Sequence, residues 1–294
     1  MKPPAFSYHL PTTIDEAVES LGALENAKLL AGGQSLMPML NMRFVQPDHL
    51  IDLNRIESLS GVVRDKDRMR VGAMTRQRTL EFDPNISRWM PLMHEAILNV
   101  GHRQTRNRGT LGGSLCHLDP AAELVAVAAA HDAVIEVAGP KGRREIAFCD
   151  FCLAFMSPAI GFDEIVTGAS FQIWPPEHGS AFTEFSRRHG DFALASAAAL
   201  IHEDSSGRIL RASLTIGGVS QSALRMKEAE VMLTGETASP ALFRAAAERC
   251  RDIDALEDAH VSSAYRRRLA TNLARRALET AHQRHGGATT RTET

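Results

Sequence analysis

Apolar residues recur at Ile14, Ala17, Val18, Leu21 and Leu24, the spacing of one helical face. Thr13-Ile14-Asp15-Glu16 sets a capping box at the start of that helix, the glutamate lying three residues after the threonine. A short apolar run at 27–31 predicts a strand that ends on Gly32-Gly33. Ser35 then stands where it would cap a further helix, with Pro38 in the first turn. Residues 50–53 read as a second strand, so the stretch 1–55 predicts a small β-α-β unit. Strand-like patterns follow at 69–72, 133–137, 145–147 and 165–174, and helical ones from Thr75, at 91–100 and at 120–130. Trp174-Pro175-Pro176-Glu177-His178-Gly179 reads as a linker: two prolines stop the strand and the glycine marks a turn. Beyond it, three antiparallel strands at 181–185, 193–201 and 208–216 lead into helices at 223–233, 240–250 and 262–281. The polar tail from Gly286 is expected to be disordered.

Composition narrows the class of partner. The formal net charge of the 294 residues is -2, and the basic runs at Arg187-Arg188 and at Tyr265-Arg266-Arg267-Arg268 are short. Neither predicts a nucleic-acid partner. Met1-Lys2-Pro3-Pro4 is not followed by an apolar signal core, and the longest apolar stretch, 124–130, is far too short to span a bilayer. A cytoplasmic location is therefore expected. Of the four cysteines, Cys149 and Cys152 form a C-x-x-C pair without a second pair beside it. This argues for buried thiols in a reducing compartment rather than a zinc or iron–sulfur site.

The chemistry centres on two glycine strings, Ala31-Gly32-Gly33-Gln34-Ser35-Leu36 and Thr110-Leu111-Gly112-Gly113-Ser114-Leu115. A strand that ends on glycines lets the backbone turn sharply and approach a ligand. Consecutive N–H groups there form an anion site, reinforced where a helix begins, and serine hydroxyls can donate to phosphate. Two such strings suit a ligand with two adjacent phosphates. Neither is the G-x-G-x-x-G fingerprint and neither carries a P-loop lysine. Either one alone reads as a tight turn before a capped helix.

The strings sit in longer matches. Lys28 to Pro38 continues to Met42-Arg43, Pro47 and Leu50-Ile51-Asp52-Leu53; Arg106-Asn107-Arg108-Gly109 precedes the second string, and Asp119-Pro120-Ala121-Ala122-Glu123 follows it. Together with Arg187-Arg188-His189-Gly190-Asp191-Phe192-Ala193, Ala223-Leu224-Arg225 and the stretch from Tyr265 to Leu278, they closely resemble the FAD-binding medium subunit of the molybdenum hydroxylases, from Phe6 to about Ala281. The resemblance implies an α+β fold: a PCMH-type FAD-binding domain at 1–176, with subdomains of about 1–55 and 56–176. A CO dehydrogenase flavoprotein-like domain at 177–284, a small three-stranded antiparallel sheet with a helical bundle, and a tail at 285–294 complete it.

It also implies the site. Ala31, Gly32, Gly33, Gln34, Ser35 and Leu36, with Thr110, Leu111, Gly112, Gly113 and Ser114, would hold the diphosphate of FAD. Asn107 and Gly109 would shape the second string, and Val100 and Val166 would approach the cofactor. Glu123, where relatives often have aspartate, would contact it at the ribose or adenine end. Phe192, often tyrosine in relatives, would lie near the flavin ring. Relatives often carry a lysine around Thr183 or Glu184, and this chain has none.

The implied role is electron transfer in an oxidoreductase. A large molybdopterin subunit hydroxylates the substrate, and a small subunit with two [2Fe-2S] clusters passes electrons to FAD and on to an external acceptor. The assembly would be a dimer of heterotrimers. No catalytic nucleophile, general base or metal site is expected in this chain. Two other readings stand beside it: a self-sufficient FAD-dependent oxidoreductase on the same fold, which would need its own proton-donating residues in the second domain, and a scaffold that has lost its cofactor, against which the intact glycines argue.

Local readings qualify single residues. His117 and Asp119 read better as shaping the turn before Pro120 than as a metal or acid–base pair. Arg103, Arg106 and Arg108 suit a phosphate or a partner no better than a solvated loop. Glu123 is placed to favour a helix N-terminus as well as a cofactor. Met37, Met39 and Met42 read as packing.

Overall fold

The computed structural model describes residues 2–286; residues 287–294, on which most of the expected tail falls, lie outside the described residues. The chain forms two compact units, neither continuous in sequence. The first comprises 1–83, 102–118 and 133–172, and the second 84–101, 119–132 and 173–294.

The first unit opens on a parallel three-stranded sheet. His49–Asp52 is its centre, flanked by Ser7–His9 and Ala27–Leu30. The capping box is formed: Thr13 Oγ1 accepts from Glu16 N at 3.1 Å, and Glu16 Oε2 accepts from Thr13 N at 3.3 Å. The helix it starts, Ile14–Ala23, buries Ala17 and Leu21 against Ile51, Leu53 and Ile56. Ser7–His9 was not predicted, because its three residues carry no alternation long enough to read. A five-stranded antiparallel sheet follows, in the order Val62–Asp65, Arg68–Gly72, Ile165–Gln172, Val134–Gly139 and Gly142–Ala147. Its centre, Ile165–Gln172, is buried along almost its whole length, and it carries small and apolar residues on both faces.

In the second unit Gly179–Phe185, Ala195–Glu203 and Ile209–Gly217 pair antiparallel. A fourth, two-residue strand, Leu224–Arg225, adds to the edge, so the sheet has four strands where three were expected. The predicted helix at 223–233 starts later, at Lys227, because Arg225 is held in the sheet and pairs with Glu230 at 2.6 Å. One core joins the alanines of the central strand, Ala197 and Ala199, to Ala270, Ala274 and Ala277 of the Ser263–Arg284 helix. Small residues on both faces let strand and helix approach closely. Three helices outside the continuous C-terminal stretch belong to this unit: Pro91–Ile97, Pro84–Trp89 and Glu123–Ala130. Glu95 ties the first of them in, accepting from Phe182 N and from Arg284 Nη1, each at 2.9 Å. Among the described residues no helix is long and apolar enough to cross a membrane.

Candidate functional site

The first glycine string leaves the strand Ala27–Leu30 and enters the short helix Leu36–Asn41. Gly33 has φ +73°, a left-handed turn that glycine adopts without cost. Gly32 is buried, and a Cβ there would fall 2.2 Å from the Arg108 carbonyl oxygen and 2.9 Å from Gly109 Cα. Ser35 does not cap the helix as expected, since its side chain makes no capping bond. The turn is closed instead by backbone bonds from Met37 N to Gly33 O at 3.0 Å and from Met39 N to Ser35 O at 3.2 Å. Among the described residues none supplies an acceptor for the amide N–H groups of Gly32 to Leu36, so the fold's own hydrogen bonding leaves these donors unused.

The second string differs. It is not a loop after a strand: the helix Arg103–Arg108 precedes it, and it forms the first turn of the helix Leu111–His117. Thr110 Oγ1 accepts from Gly113 N at 3.0 Å. Leu111 N donates to Thr75 O at 3.1 Å, Gly112 N to Ala73 O at 2.8 Å and Ser114 N to Thr110 O at 3.2 Å. The expected row of free N–H groups is therefore absent here, because the fold uses all four. A Cβ on Gly112 would meet Ala73 Cβ at 2.6 Å, so this glycine serves close packing.

The fold brings the two strings side by side. A Cβ on Gly113 would lie 3.6 Å from Ala31 Cβ, and Arg108 O backs Gly32. A polar network fixes the contact. Asn54 Nδ2 donates to Ala31 O at 3.0 Å, while Arg76 donates through one Nη to Asn54 Oδ1 and through the other to Arg108 O. Asp52 accepts from Asn54 N at 2.9 Å and also from the Tyr8 hydroxyl, which raises the Tyr8 pKa. Tyr8, Asn54 and Arg76 were missed by sequence reasoning. Only Asp52 lay within a quoted match, and nothing in the spacing signals an arginine 45 residues beyond Ala31.

Beside the first string lies a cavity of about 420 Å³, lined by Tyr8, Leu30, Gly32, Gly33, Gln34, Met37, Pro38, Asp52 and Arg108. The donors its lining residues carry include the unused amides of Gly32 to Gln34, the Gln34 carboxamide and the Arg108 guanidinium, and its walls include apolar residues. That set fits a phosphate-bearing cofactor with an apolar body, and a Cβ at Gly32 could not be accommodated.

The remaining predicted residues are distributed as follows. Asn107 is exposed on the Arg103–Arg108 helix, and Gly109 is buried at its end, where a Cβ would strike Gln77 Oε1 at 2.3 Å. Val166 is buried in the five-stranded sheet next to a register shift. Val100, Glu123 and Phe192 belong to the second unit. Glu123 opens the Glu123–Ala130 helix, and burial, with the Asp119 charge nearby, pushes its carboxyl up to about 7. Glu184, which with Thr183 marks the place around which the resemblance implies a lysine, is pushed up to about 8 by burial and by the Glu123 charge. Phe192 is 71% exposed.

Other expectations change. Arg106 is neither solvated nor free for phosphate: it is buried and pairs with Glu81 at 2.9 Å. Thr75 does not open a helix; its hydroxyl donates to Gly61 O at 3.1 Å, and the helix begins at Gln77. Asp119 does shape its turn, Oδ1 accepting from Ala121 N at 2.8 Å. Cys149 is exposed and Cys152 partly so, against the expectation of buried thiols: Cys149 lies on the short helix Phe148–Phe151, and Cys152 opens the largely exposed strand Cys152–Ala154. Met42 is 53% exposed rather than packed. Among the described residues no group of three or more His, Cys, Asp or Glu could hold a metal ion.

Comparison with known proteins matches residues 4–171 to the family described as the FAD binding domain in molybdopterin dehydrogenase, and residues 180–281 to the CO dehydrogenase flavoprotein C-terminal domain. The chain is 36% identical over 286 residues to the alpha subunit of the 6-hydroxypseudooxynicotine dehydrogenase complex of Paenarthrobacter nicotinovorans, covering 97% of each. It is 34% identical to the carbon monoxide dehydrogenase medium chain of Hydrogenophaga pseudoflava, covering 97% of this chain and 99% of that one. A solved structure of carbon monoxide dehydrogenase from Hydrogenophaga pseudoflava superposes with a TM-score of 0.94 at 35% identity, covering 97% of this chain and all of that one.

Proposed function

The chain belongs to the family of FAD-binding medium subunits of molybdenum hydroxylases, and from that premise we propose that it is the electron-transfer subunit of such an oxidoreductase, with FAD held against the first glycine string. The observation that carries the placement is the row of amides from Gly32 to Leu36 that no group of the fold accepts from among the described residues, with Arg108 O packed against Gly32. These amides, with the Gln34 side chain and the Arg108 guanidinium, would bind and orient the diphosphate. The second string contributes less than its sequence suggests. With the amides of Leu111 to Ser114 spent, the Thr110 amide and the Thr110 and Ser114 hydroxyls are the donors it has to offer, and Thr110, Leu111, Gly112 and Gly113 act as the wall that fixes Ala31. Asn107, Gly109, Val100, Glu123, Val166 and Phe192 keep their proposed roles as shaping or contacting residues.

FAD supplies the electron relay when bound, between the [2Fe-2S] clusters of a small partner subunit, fed by a large molybdopterin subunit, and an external acceptor. The relatives' names, as a complex subunit and a medium chain, support an assembly of several chains. A dimer of heterotrimers, a cytoplasmic location and the domain limits 1–176 and 177–284 complete the reading.

Co-expression with the neighbouring reading frames and purification of the native assembly test it. Molybdenum, iron and FAD in a complex of three different chains are expected. A native assembly holding this chain alone, or one that stays colourless after FAD is added, overturns it. Substrate-dependent bleaching of flavin by the isolated chain would instead favour a self-sufficient flavoenzyme.

A further inference from the structure

A groove of about 760 Å³ runs along the Ser263–Arg284 helix, closed on its other side by the Pro240–Glu248 helix and the turn after it. Five arginines line it: Arg244, Arg251, Arg267, Arg268 and Arg275. Two have carboxylate partners, Arg251 with Glu248 and Arg275 with Glu279 at 2.8 Å. Among the described residues Arg244, Arg267 and Arg268 have none. The chain as a whole carries a formal charge of -2, so this positive excess is local. The Arg268 guanidinium lies 5.0 Å over the Tyr265 ring, which restrains the side chain and leaves its N–H edge for a ligand.

We propose that this groove docks an acidic polypeptide segment of a partner subunit, an inference that rests on the multi-subunit reading above. The spacing selects a chain of carboxylates over a single anion. Arg267 and Arg275 are eight residues apart on one helix, about 12 Å along its axis, and an extended segment spans that with about four residues. A lone phosphate reaches only one end. A run of Asp or Glu reaches both, each guanidinium taking a carboxylate through two parallel N–H groups. Nucleic acid is disfavoured, since the net charge of the chain repels a polyanion outside the groove.

The test titrates the purified full chain with fluorescent heptaglutamate, heptalysine and a 20-base-pair DNA duplex, followed by anisotropy, with pyrophosphate as competitor. Heptaglutamate should bind and heptalysine should not, and added partner subunits should displace the peptide. The charge reversals Arg267→Glu with Arg268→Glu should weaken binding about tenfold or more, with FAD content and melting temperature unchanged. The milder Arg244→Gln with Arg268→Gln should give a smaller loss, guarding against misfolding of the first variant. The proposal falls if the wild type ignores heptaglutamate or if both variants bind it as tightly. It also falls if equimolar pyrophosphate displaces the peptide, or if the duplex binds more tightly through the same arginines. FAD retention and co-purification are read separately. A double variant that assembles normally removes the docking surface and leaves the FAD-subunit reading intact, whereas failure of that reading leaves the peptide titration to decide the groove.

Discussion

The carbonyl oxygen of Arg108 occupies the space that a Cβ on Gly32 would need, 2.2 Å away. Two segments 76 residues apart in the chain are pressed together at that point, and the amides of the first are left without an acceptor among the described residues. Gly32→Ala should therefore force the strings apart, at a cost of about 1–3 kcal/mol by overpacking, and abolish flavin retention. The ratio of flavin to protein absorbance after gel filtration measures it. A stoichiometric yellow G32A protein would show that the contact is not needed for binding.

Arg76 joins the same two segments, reaching Asn54 Oδ1 with one nitrogen and Arg108 O with the other. A lysine keeps the charge but cannot serve two fixed acceptors with one planar fork. Arg76→Lys should weaken FAD binding about tenfold, roughly the 1.4 kcal/mol expected for one lost charge-assisted bond. Quenching of free flavin fluorescence on titration gives the affinity, and wild-type affinity in the lysine variant would leave Arg76 without a positioning role.

Thr110 Oγ1 caps the Leu111–His117 helix through Gly113 N. Thr110→Val removes the acceptor and should cost about 1 kcal/mol of stability, visible in a denaturant midpoint, with little loss of flavin. Gly113→Val should do more, since a Cβ there sits 2.8 Å from Thr110 Oγ1 and 3.6 Å from Ala31 Cβ, and flavin should be lost. Full retention in G113V would reduce this segment to a turn.

Glu184 and Glu123 are held protonated to about pH 8 and about pH 7, against an ordinary value of 4.5. Burial is the main cause at both; the Glu123 charge adds to it at Glu184, and the Asp119 charge adds to it at Glu123. The folded state thus binds more protons than the unfolded one between those values. The stability these groups allow is complete below pH 4.5 and is lost as pH rises through about 8. Melting temperature should fall across that window, and Glu184→Gln, which never ionises, should flatten the fall. An unchanged slope in E184Q would assign the dependence to other groups.

Thiol reactivity should sort by position. Burial pushes the Cys116 and Cys250 thiols up to about 12, while Cys149 is exposed. Iodoacetamide at pH 8 should modify Cys149 in the native protein, reach the partly exposed Cys116 more slowly because its raised pKa leaves little thiolate, and reach Cys250 only after unfolding. Peptide mapping by mass spectrometry checks this, and native labelling of Cys250 would contradict its buried setting.

The sequence by itself determined what local rules control. The Thr13–Glu16 capping box, the helical face from Ile14 to Leu21 and the buried run of Ile165–Gln172 were legible because each depends on neighbours within a turn or a strand. The two glycine strings were legible as motifs and pointed to the candidate site. Only the tertiary structure decided what each string does. In the first the amides have no acceptor among the described residues; in the second Ala73, Thr75 and Thr110 take those of Leu111 to Ser114, and Ala73 and Thr75 come from a segment whose approach no local pattern encodes. The Asn54–Arg76–Arg108 network, the pairing of Arg106 with Glu81 and the raised carboxyls of Glu123 and Glu184 belong to the same class. Hydrogen-bond partnership and desolvation are set by which distant segments meet, and one-dimensional spacing carries no record of that.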